Sequence, residues 1–143
     1  MSVHASDTVR IDAPLEDVLA VVRDVDGQAD WWPGMLASEA LASDADGLVS
    51  RARLVNDVKV AKDEFELDYT HTDTSMAWTL AGRSSAQKEQ TGSWTLADRG
   101  GATEATLELT IATTLPLPGM VQRKVVKDTV RGATKALKRR CEA

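Results

Sequence analysis

Residues 64–69 read Glu-Phe-Glu-Leu-Asp-Tyr, and this alternation of acidic and apolar side chains decides the fold. Successive side chains of a β-strand point to opposite faces, so the pattern predicts a strand with one buried and one solvated face. The same period of two recurs on both sides of this stretch. It predicts strands at 36–43, 48–56, 60–71, 75–82, 86–97 and 102–113, which short turn-forming segments separate. Connections this short imply antiparallel neighbours.

The bulky residues of these strands share one parity and therefore one face of the sheet. They are Phe65, Leu67, Tyr69, Met76, Trp78, Leu80, Trp94, Leu96, Leu107, Leu109 and Ile111. The last helix must cover that face, and it offers mostly small side chains: Val121, Val125, Thr129, Val130, Ala133 and Ala136, with Leu137 near its end. A broad sheet under a slim helix predicts a hollow suited to an apolar ligand. The alternative is a core that closes to the usual packing density.

The opposite face of the sheet carries charge. If residues 56–59 turn the chain, Arg53 lies opposite Glu64 and Arg51 lies opposite Glu66. Opposite charges across a strand pair are favourable by a few tenths of a kcal/mol. The acidic cluster is therefore interpreted as a solvated sheet face and not as a metal or acid–base site.

The two ends of the chain are helical. A strand at Thr8–Asp12 precedes a helix that Pro14 opens, because proline at a first helical position sacrifices no hydrogen bond. A short helical turn is predicted within residues 26–31, and Trp32-Pro33-Gly34 ends it. Pro118 opens the final helix, which runs to about Arg140. The elements together predict an α+β fold.

Length and composition indicate one globular domain over residues 1–143 in the cytoplasm. Apolar residues make up 43% of the chain and charged residues 27%. The start of the chain lacks the basic-then-apolar order of a signal peptide. Cys141 is the one cysteine, so an internal disulfide is excluded. Monomers or weak dimers are expected.

The charge is divided unevenly along the chain. Residues 1–117 carry a net charge of −11, and residues 118–143 carry +6. The favoured interpretation is a basic helix that complements its own acidic body. The alternative is a docking surface for an anionic membrane or RNA. The acidic remainder of the chain argues against general nucleic-acid binding.

Three motifs and the order of elements resemble the START-like superfamily, which includes Bet v 1-type proteins, polyketide cyclases/dehydrases and coenzyme Q-binding proteins. The motifs are VRIDAPLEDV at Val9–Val18, WWPGM at Trp31–Met35 and GSWTL at Gly92–Leu96. The resemblance implies a helix-grip fold, in which a seven-stranded antiparallel sheet wraps around the long C-terminal helix. Two short helices lie between the first two strands of this fold.

The resemblance also implies a ligand site between the sheet and the last helix, the same space that the side-chain sizes indicate. The mouth is expected near Trp31–Met35 and Leu115–Met120. Opening would move these two segments apart. The predicted ligand-binding residues are Trp32, Phe65, Leu67, Tyr69, Trp78, Gln90, Trp94, Leu107, Leu109, Met120, Val121, Val125 and Ala133.

Four polar residues share the inward parity: Tyr69, His71, Lys88 and Gln90. Tyr69 is expected opposite Trp78 and His71 near Met76. A bulge at Gly92 would instead turn Lys88 and Gln90 to solvent, and that interpretation is favoured for Lys88. His71 is interpreted first as a surface histidine at a strand end, and His4 as part of a frayed terminus. At least one of Trp31 and Trp32 is expected to be structural.

Motifs for catalysis are scarce. No zinc spacing, phosphate loop, dinucleotide fingerprint or serine nucleophile motif occurs in the sequence, so no metal and no cofactor is predicted. The leading hypothesis is binding or carriage of a lipid, isoprenoid, quinone or polyketide. The first alternative is a polyketide cyclase, aromatase or dehydratase that uses Tyr69 and His71. The second is a regulatory interaction protein similar to the ribosome-association toxins.

Overall fold

A computed structural model describes residues 1–59 and 61–143 and contains one seven-stranded antiparallel sheet in the order β1-β7-β6-β5-β4-β3-β2. The strands are β1 Val3–Ile11, β2 Met35–Ser43, β3 Val49–Asp57, β4 Lys62–Thr72, β5 Ser75–Leu80, β6 Gln87–Arg99 and β7 Ala102–Thr113. The helices are α1 Leu15–Arg23, a 3-10 turn at Gln28–Asp30 and α2 Gly119–Glu142. This arrangement confirms the helix-grip fold. The predicted start of β4 at residue 60 lies outside the described residues.

The first strand is longer than predicted, and it begins at Val3 instead of Thr8. All nine of its residues pair with β7, from Val3 opposite Ile111 to Ile11 opposite Thr103. The expectation that His4 frays is therefore wrong. Its Nδ1 lies 3.0 Å from Thr110 Oγ1. Only Val3 and Ile11 of this polar strand are buried, which explains why the sequence signal was weak.

The predicted register between β3 and β4 is wrong by two residues. Arg51 pairs with Asp68, and Arg53 pairs with Glu66. β3 extends to Asp57, so the hairpin turns one residue later than the sequence suggested. A shift of two keeps every side chain on its predicted face, because the side-chain period of a strand is two. The charged outer face remains solvated, and Arg51 Nε donates to Asp68 Oδ1 at 2.7 Å.

The buried face of α2 agrees with the prediction in the C-terminal half of the helix and differs from it in the N-terminal half. It consists of Val126, Val130, Ala133, Thr134, Ala136 and Leu137. Val121 and Val125, which were expected to face the sheet, are 42% and 51% exposed. Val130, Ala133, Ala136 and Leu137 are buried as predicted, so the difference is confined to the first turns of the helix, where Val126 is buried instead. Among the described residues, no helix is long and apolar enough to span a bilayer.

Candidate functional site

A cavity of about 530 Å³ lies between the inner face of the sheet and the N-terminal half of α2. Small-molecule sites usually have volumes of roughly 300 to 1,000 Å³. The helix contributes small or short side chains here, among them Val126, Thr129 and Gly132. The size mismatch seen in the sequence thus corresponds to a real hollow.

Eight of the thirteen predicted binding residues line this cavity: Trp32, Phe65, Leu67, Tyr69, Trp78, Gln90, Leu109 and Val125. Their contact with a ligand stays a prediction. The other five lie outside it. Trp94, Leu107 and Ala133 are at most 1% exposed and belong to the packed core, while Met120 and Val121 are exposed at the start of α2. These five positions are corrected here as core and surface residues.

The predicted mouth segments both reach the cavity, through Trp32–Met35 and through Leu115 and Leu117. The sequence did not reveal a third segment, the last residue of β3 and the two residues after it (57–59), which also lines the cavity. The amide of Asp57 donates to the carbonyl oxygen of Gly34 at 2.8 Å. Gly34 has a φ of +79°, a conformation that glycine adopts without strain. Two of the three rim segments are therefore tied to each other.

A cluster of three tryptophans borders the cavity through Trp32 and packs into the core. The ring centroids of Trp31, Trp32 and Trp94 lie 5.8 to 6.3 Å apart. Trp32 is buried and Trp31 is partly buried, so the prediction that one of them is structural is confirmed. Tilted and edge-on ring pairs at these distances are favourable.

Trp78 has a different environment, because its ring lies close against the backbone of Gly92. A Cβ atom at residue 92 would stand 2.4 Å from the indole ring, which is far inside van der Waals contact. The indole Nε1 donates to Gln90 Oε1 at 2.8 Å. Glycine and this hydrogen bond together hold the ring against β6 and leave the space above it open.

Tyr69 is paired with Trp78, as predicted, and its ring centroid lies 6.2 Å from that of Trp78. The side chain lines the cavity and is only 6% exposed. Its hydroxyl has no hydrogen-bond partner among the described residues. Burial raises the pKa of the Tyr69 hydroxyl, so it stays protonated at neutral pH. A protonated, unpartnered hydroxyl in a hollow is available to a ligand.

His71 pairs with Met76, as predicted, but it does not line the cavity. Its Nε2 lies 2.7 Å from the carbonyl oxygen of Val49 and donates to it. The structure thus does not bring Tyr69 and His71 together at the cavity. The half-buried ring is also not the surface histidine that the sequence suggested.

The bulge in β6 falls at Lys88 and not at Gly92. The pairing with β7 shifts between Gln87 and Glu89, and Lys88 points to solvent. Gln90 remains inward, which corrects the interpretation that a bulge would expose it. The bulge also turns Gln87 inward, so two glutamines three residues apart both line the cavity. Sequence parity alone did not reveal Gln87, because a bulge changes the parity at one residue.

Asp63 is a second residue that the sequence analysis missed. Its side chain is buried and lines the cavity. It has the same odd parity as Phe65, and that parity was the available signal. Its two oxygens accept four hydrogen bonds at 3.0 to 3.2 Å, from the hydroxyls of Ser84 and Ser85, the amide of Ala86 and the side chain of Gln87. A carboxylate has about four acceptor positions, so Asp63 is saturated.

The glutamines extend this network to Trp78. Gln87 Nε2 donates to Asp63 Oδ2 at 3.0 Å, and Gln90 Nε2 donates to Gln87 Oε1 at 2.6 Å. Trp78 then donates to Gln90. The result is a chain of hydrogen bonds that all run toward Asp63, here named the Asp63 relay: Trp78, Gln90, Gln87 and Asp63. Within the described residues, no group of three metal-ligating side chains occurs.

The chain belongs to the polyketide cyclase/dehydrase and lipid transport family, whose profile matches residues 2–142. Membership places it among proteins that bind or transform hydrophobic small molecules. No curated protein sequence matches the chain.

Solved structures share the fold. A START superfamily protein from Mycobacterium smegmatis has a TM-score of 0.89 at 23% identity, with 97% of each chain covered. The Zhui aromatase/cyclase from Streptomyces has a TM-score of 0.75 at 18% identity, and the match covers 99% of this chain and 94% of that one. A STAR-related lipid transfer protein fragment from Xanthomonas axonopodis has a TM-score of 0.73 at 19% identity. The match covers 98% of this chain and 86% of that fragment. At these identities the likeness establishes the fold alone.

Proposed function

We propose that this protein binds and carries a hydrophobic small molecule, such as a lipid, isoprenoid, quinone or polyketide, between its sheet and α2. The observation that carries the proposal is the cavity of about 530 Å³, whose walls include Phe65, Leu67 and Leu109. Trp94, Leu107 and Ala133 in the neighbouring half of the same inner face are at most 1% exposed, so the hollow is local and not a sign of loose packing throughout.

Burial of apolar surface supplies the binding energy in this proposal. A ligand that buries about 300 Å² of apolar surface gains roughly 7 kcal/mol at about 25 cal/mol per Å². Lost translational and rotational freedom offsets several kcal/mol of that gain. The few kcal/mol that remain correspond to roughly millimolar affinity, so tighter binding requires a larger ligand or hydrogen bonds from the cavity wall.

A cyclase or dehydratase is the second candidate, and one observation favours it. The protonated hydroxyl of Tyr69 is a proton donor inside an apolar cavity. The partner base is the weak point of this candidate. Asp63 already accepts four hydrogen bonds, and His71 is bonded to Val49 outside the cavity. Carriage requires no such base and is the better supported function.

Native mass spectrometry of freshly purified protein, followed by organic extraction, tests the proposal. A bound apolar molecule of defined mass is expected, or binding of members of a lipid, quinone and polyphenol panel. Protein that is free of ligand and binds no member of the panel would contradict carriage. Conversion of a bound molecule by wild-type protein, and its loss in Tyr69→Phe, would favour the enzyme.

We also propose that the mouth meets an anionic bilayer, from which an apolar ligand would enter. Met120 is 76% exposed, and with Val121 it forms an apolar patch beside Val125, which lines the cavity. Exposed basic side chains, Arg123 and Lys127, stand on the same turns of α2. Apolar insertion combined with basic contacts is the pattern of peripheral membrane binding.

Co-sedimentation with vesicles at low salt tests this contact. Binding to phosphatidylserine-containing vesicles is expected, with weak binding to pure phosphatidylcholine. Loss is expected in Met120→Ser/Val121→Ser and in Arg123→Gln/Lys127→Gln. Leu41→Ser is the matched control, because Leu41 is a comparably exposed residue on β2. Equal binding by all variants, or salt-sensitive binding to RNA instead, would contradict the membrane contact.

A further inference from the structure

We propose that the Asp63 relay and Tyr69 make one wall of the cavity a hydrogen-bond donor surface, which selects hydrophobic ligands that carry a carbonyl oxygen. This inference rests on the proposed binding function and specifies its ligand class. The ligand would be a ketone, a quinone or another acceptor-rich molecule. A plain hydrocarbon would leave the wall without partners.

The chemistry at both ends of the relay fixes its direction. The indole of Trp78 has only a donor, so Gln90 must present its oxygen to it. At the other end Asp63 accepts from the backbone amide of Ala86, which can only donate. Gln90 then presents its nitrogen to the oxygen of Gln87, which leaves the nitrogen of Gln87 for the carboxylate. The orientations of both amides follow from these two ends.

Each glutamine amide keeps one unused N–H. A side-chain amide has two N–H donors, and Gln87 and Gln90 each spend one along the relay. Their oxygens each accept one bond. Both side chains are more than nine-tenths buried and line the cavity, so the space that remains for the spare N–H groups is the cavity.

Tyr69 adds a third donor to this wall. It is paired with Trp78 on the neighbouring strand, and its hydroxyl has no partner among the described residues. Asn56, at the Asp63 end, has a buried and unpartnered oxygen. Its amide also offers two N–H groups, so Asn56 does not reverse the excess of donors.

A ligand must replace the water that satisfies these donors in the free protein. A carbonyl oxygen accepts their hydrogen bonds, whereas a methylene group leaves them buried and unpaired. The difference per lost hydrogen bond corresponds to about tenfold or more in affinity. The wall thus discriminates between ligands of the same shape.

Benzophenone and diphenylmethane test this directly, because they differ by a carbonyl in place of a methylene group. Calorimetry measures the affinity of both probes for wild-type protein and for Tyr69→Phe. The change in affinity caused by the substitution is then compared between the two probes, so their different solubilities cancel. Tyr69→Phe is expected to weaken the binding of benzophenone by about tenfold and to leave the affinity for diphenylmethane unchanged. Equal changes for both probes would overturn the inference while leaving apolar binding intact. Binding of neither probe would contradict the proposed function as well.

Asp63 acts in this account as a positioning residue. Asp63→Asn presents an NH2 group to Gln87, which favours reversal of both glutamines and turns the NH2 of Gln90 toward the N–H of Trp78. The expected signature is a shift of the Trp78 indole N–H resonance together with loss of the preference for benzophenone. Trp78→Phe removes the opposed donor, so Asp63→Asn is expected to cost less stability in a Trp78→Phe background than in the wild-type protein. An unchanged indole resonance would contradict the fixed direction.

Discussion

Leu107 and Leu109 lie two residues apart on the same face of β7, yet Leu107 touches a packed core and Leu109 lines a cavity. The difference comes from what covers each half of the inner face. α1 packs against β5, β6, β7 and α2, and the tryptophan cluster closes the same half. The other half is covered only by the N-terminal part of α2, with small residues such as Thr129 and Gly132.

The comparison shows that aromatic content does not determine whether a core is hollow. Trp94 and Trp78 both lie on the inner face, and both are at most 6% exposed. Trp94 meets two other indoles, which fill the space around it. Trp78 lies close against Gly92, is hydrogen-bonded to Gln90 and borders the cavity.

Replacing each of the two tryptophans with alanine is expected to give the largest difference in stability between the two halves of the inner face. Trp94→Ala is expected to lower the free energy of unfolding by about 4 kcal/mol, since it opens a cavity in close-packed surroundings. Trp78→Ala is expected to cost about 2 kcal/mol, because one side of this ring already borders open space. Urea denaturation measures both values. Equal losses would mean that the two halves are packed alike.

Substitution of two glycines tests the position of the Trp78 ring. Gly92→Ala is expected to lower stability by about 2 kcal/mol and to weaken ligand binding, because the new Cβ forces the indole into the cavity. Gly132→Ala is the control for stability. Its Cβ would stand 3.7 Å from Pro33, an ordinary contact, and alanine favours a helix by up to about 1 kcal/mol. If Gly92→Ala leaves stability and binding unchanged, the ring is not confined as described.

Alkaline titration gives a smaller effect that is specific to the cavity half. Tyr69 is the sole tyrosine, so tyrosinate absorbance reports this residue alone. Burial raises the pKa of its hydroxyl in the folded protein, whereas the unfolded chain ionises near about pH 10. The free energy of unfolding therefore falls as the pH rises above about 10, and this group contributes up to about 1.4 kcal/mol per pH unit to the loss.

The comparison with Tyr69→Phe isolates that contribution from the lysines. Stability of wild type and variant, measured by urea denaturation at several alkaline pH values, is expected to diverge only above about pH 10. Ionisation of Tyr69 near pH 10 in the folded protein would show that its hydroxyl meets water freely.

The sequence predicted most of the fold, because strand parity and turn residues are local signals. Phe65, Leu67 and Tyr69 lie inward as the alternation indicated, even though the register of β3 on β4 differs by two residues. The length of β1 was missed, since few of its residues are buried.

The polar wall of the cavity was harder to predict from sequence. Gln87 is brought inward by the bulge at Lys88, and a bulge depends on pairing with β7. Asp63 resembles its outward acidic neighbours, and only its hydrogen bonds from the 84–87 segment explain its burial. The separation of Trp94 and Leu107 from the cavity depends on where α1 packs, which residue spacing does not encode.

The most direct test of the account is the same substitution at the two leucines of β7. Leu109→Trp is expected to keep stability within about 1 kcal/mol, because the ring enters the cavity, and to abolish ligand binding. Leu107→Trp is expected to lose about 3 kcal/mol or to fail to fold, since no space receives the ring. Calorimetric affinity and urea denaturation of both variants provide the comparison. Equal destabilisation, or a Leu109→Trp variant that binds ligand as wild type does, would contradict the existence of a ligand cavity.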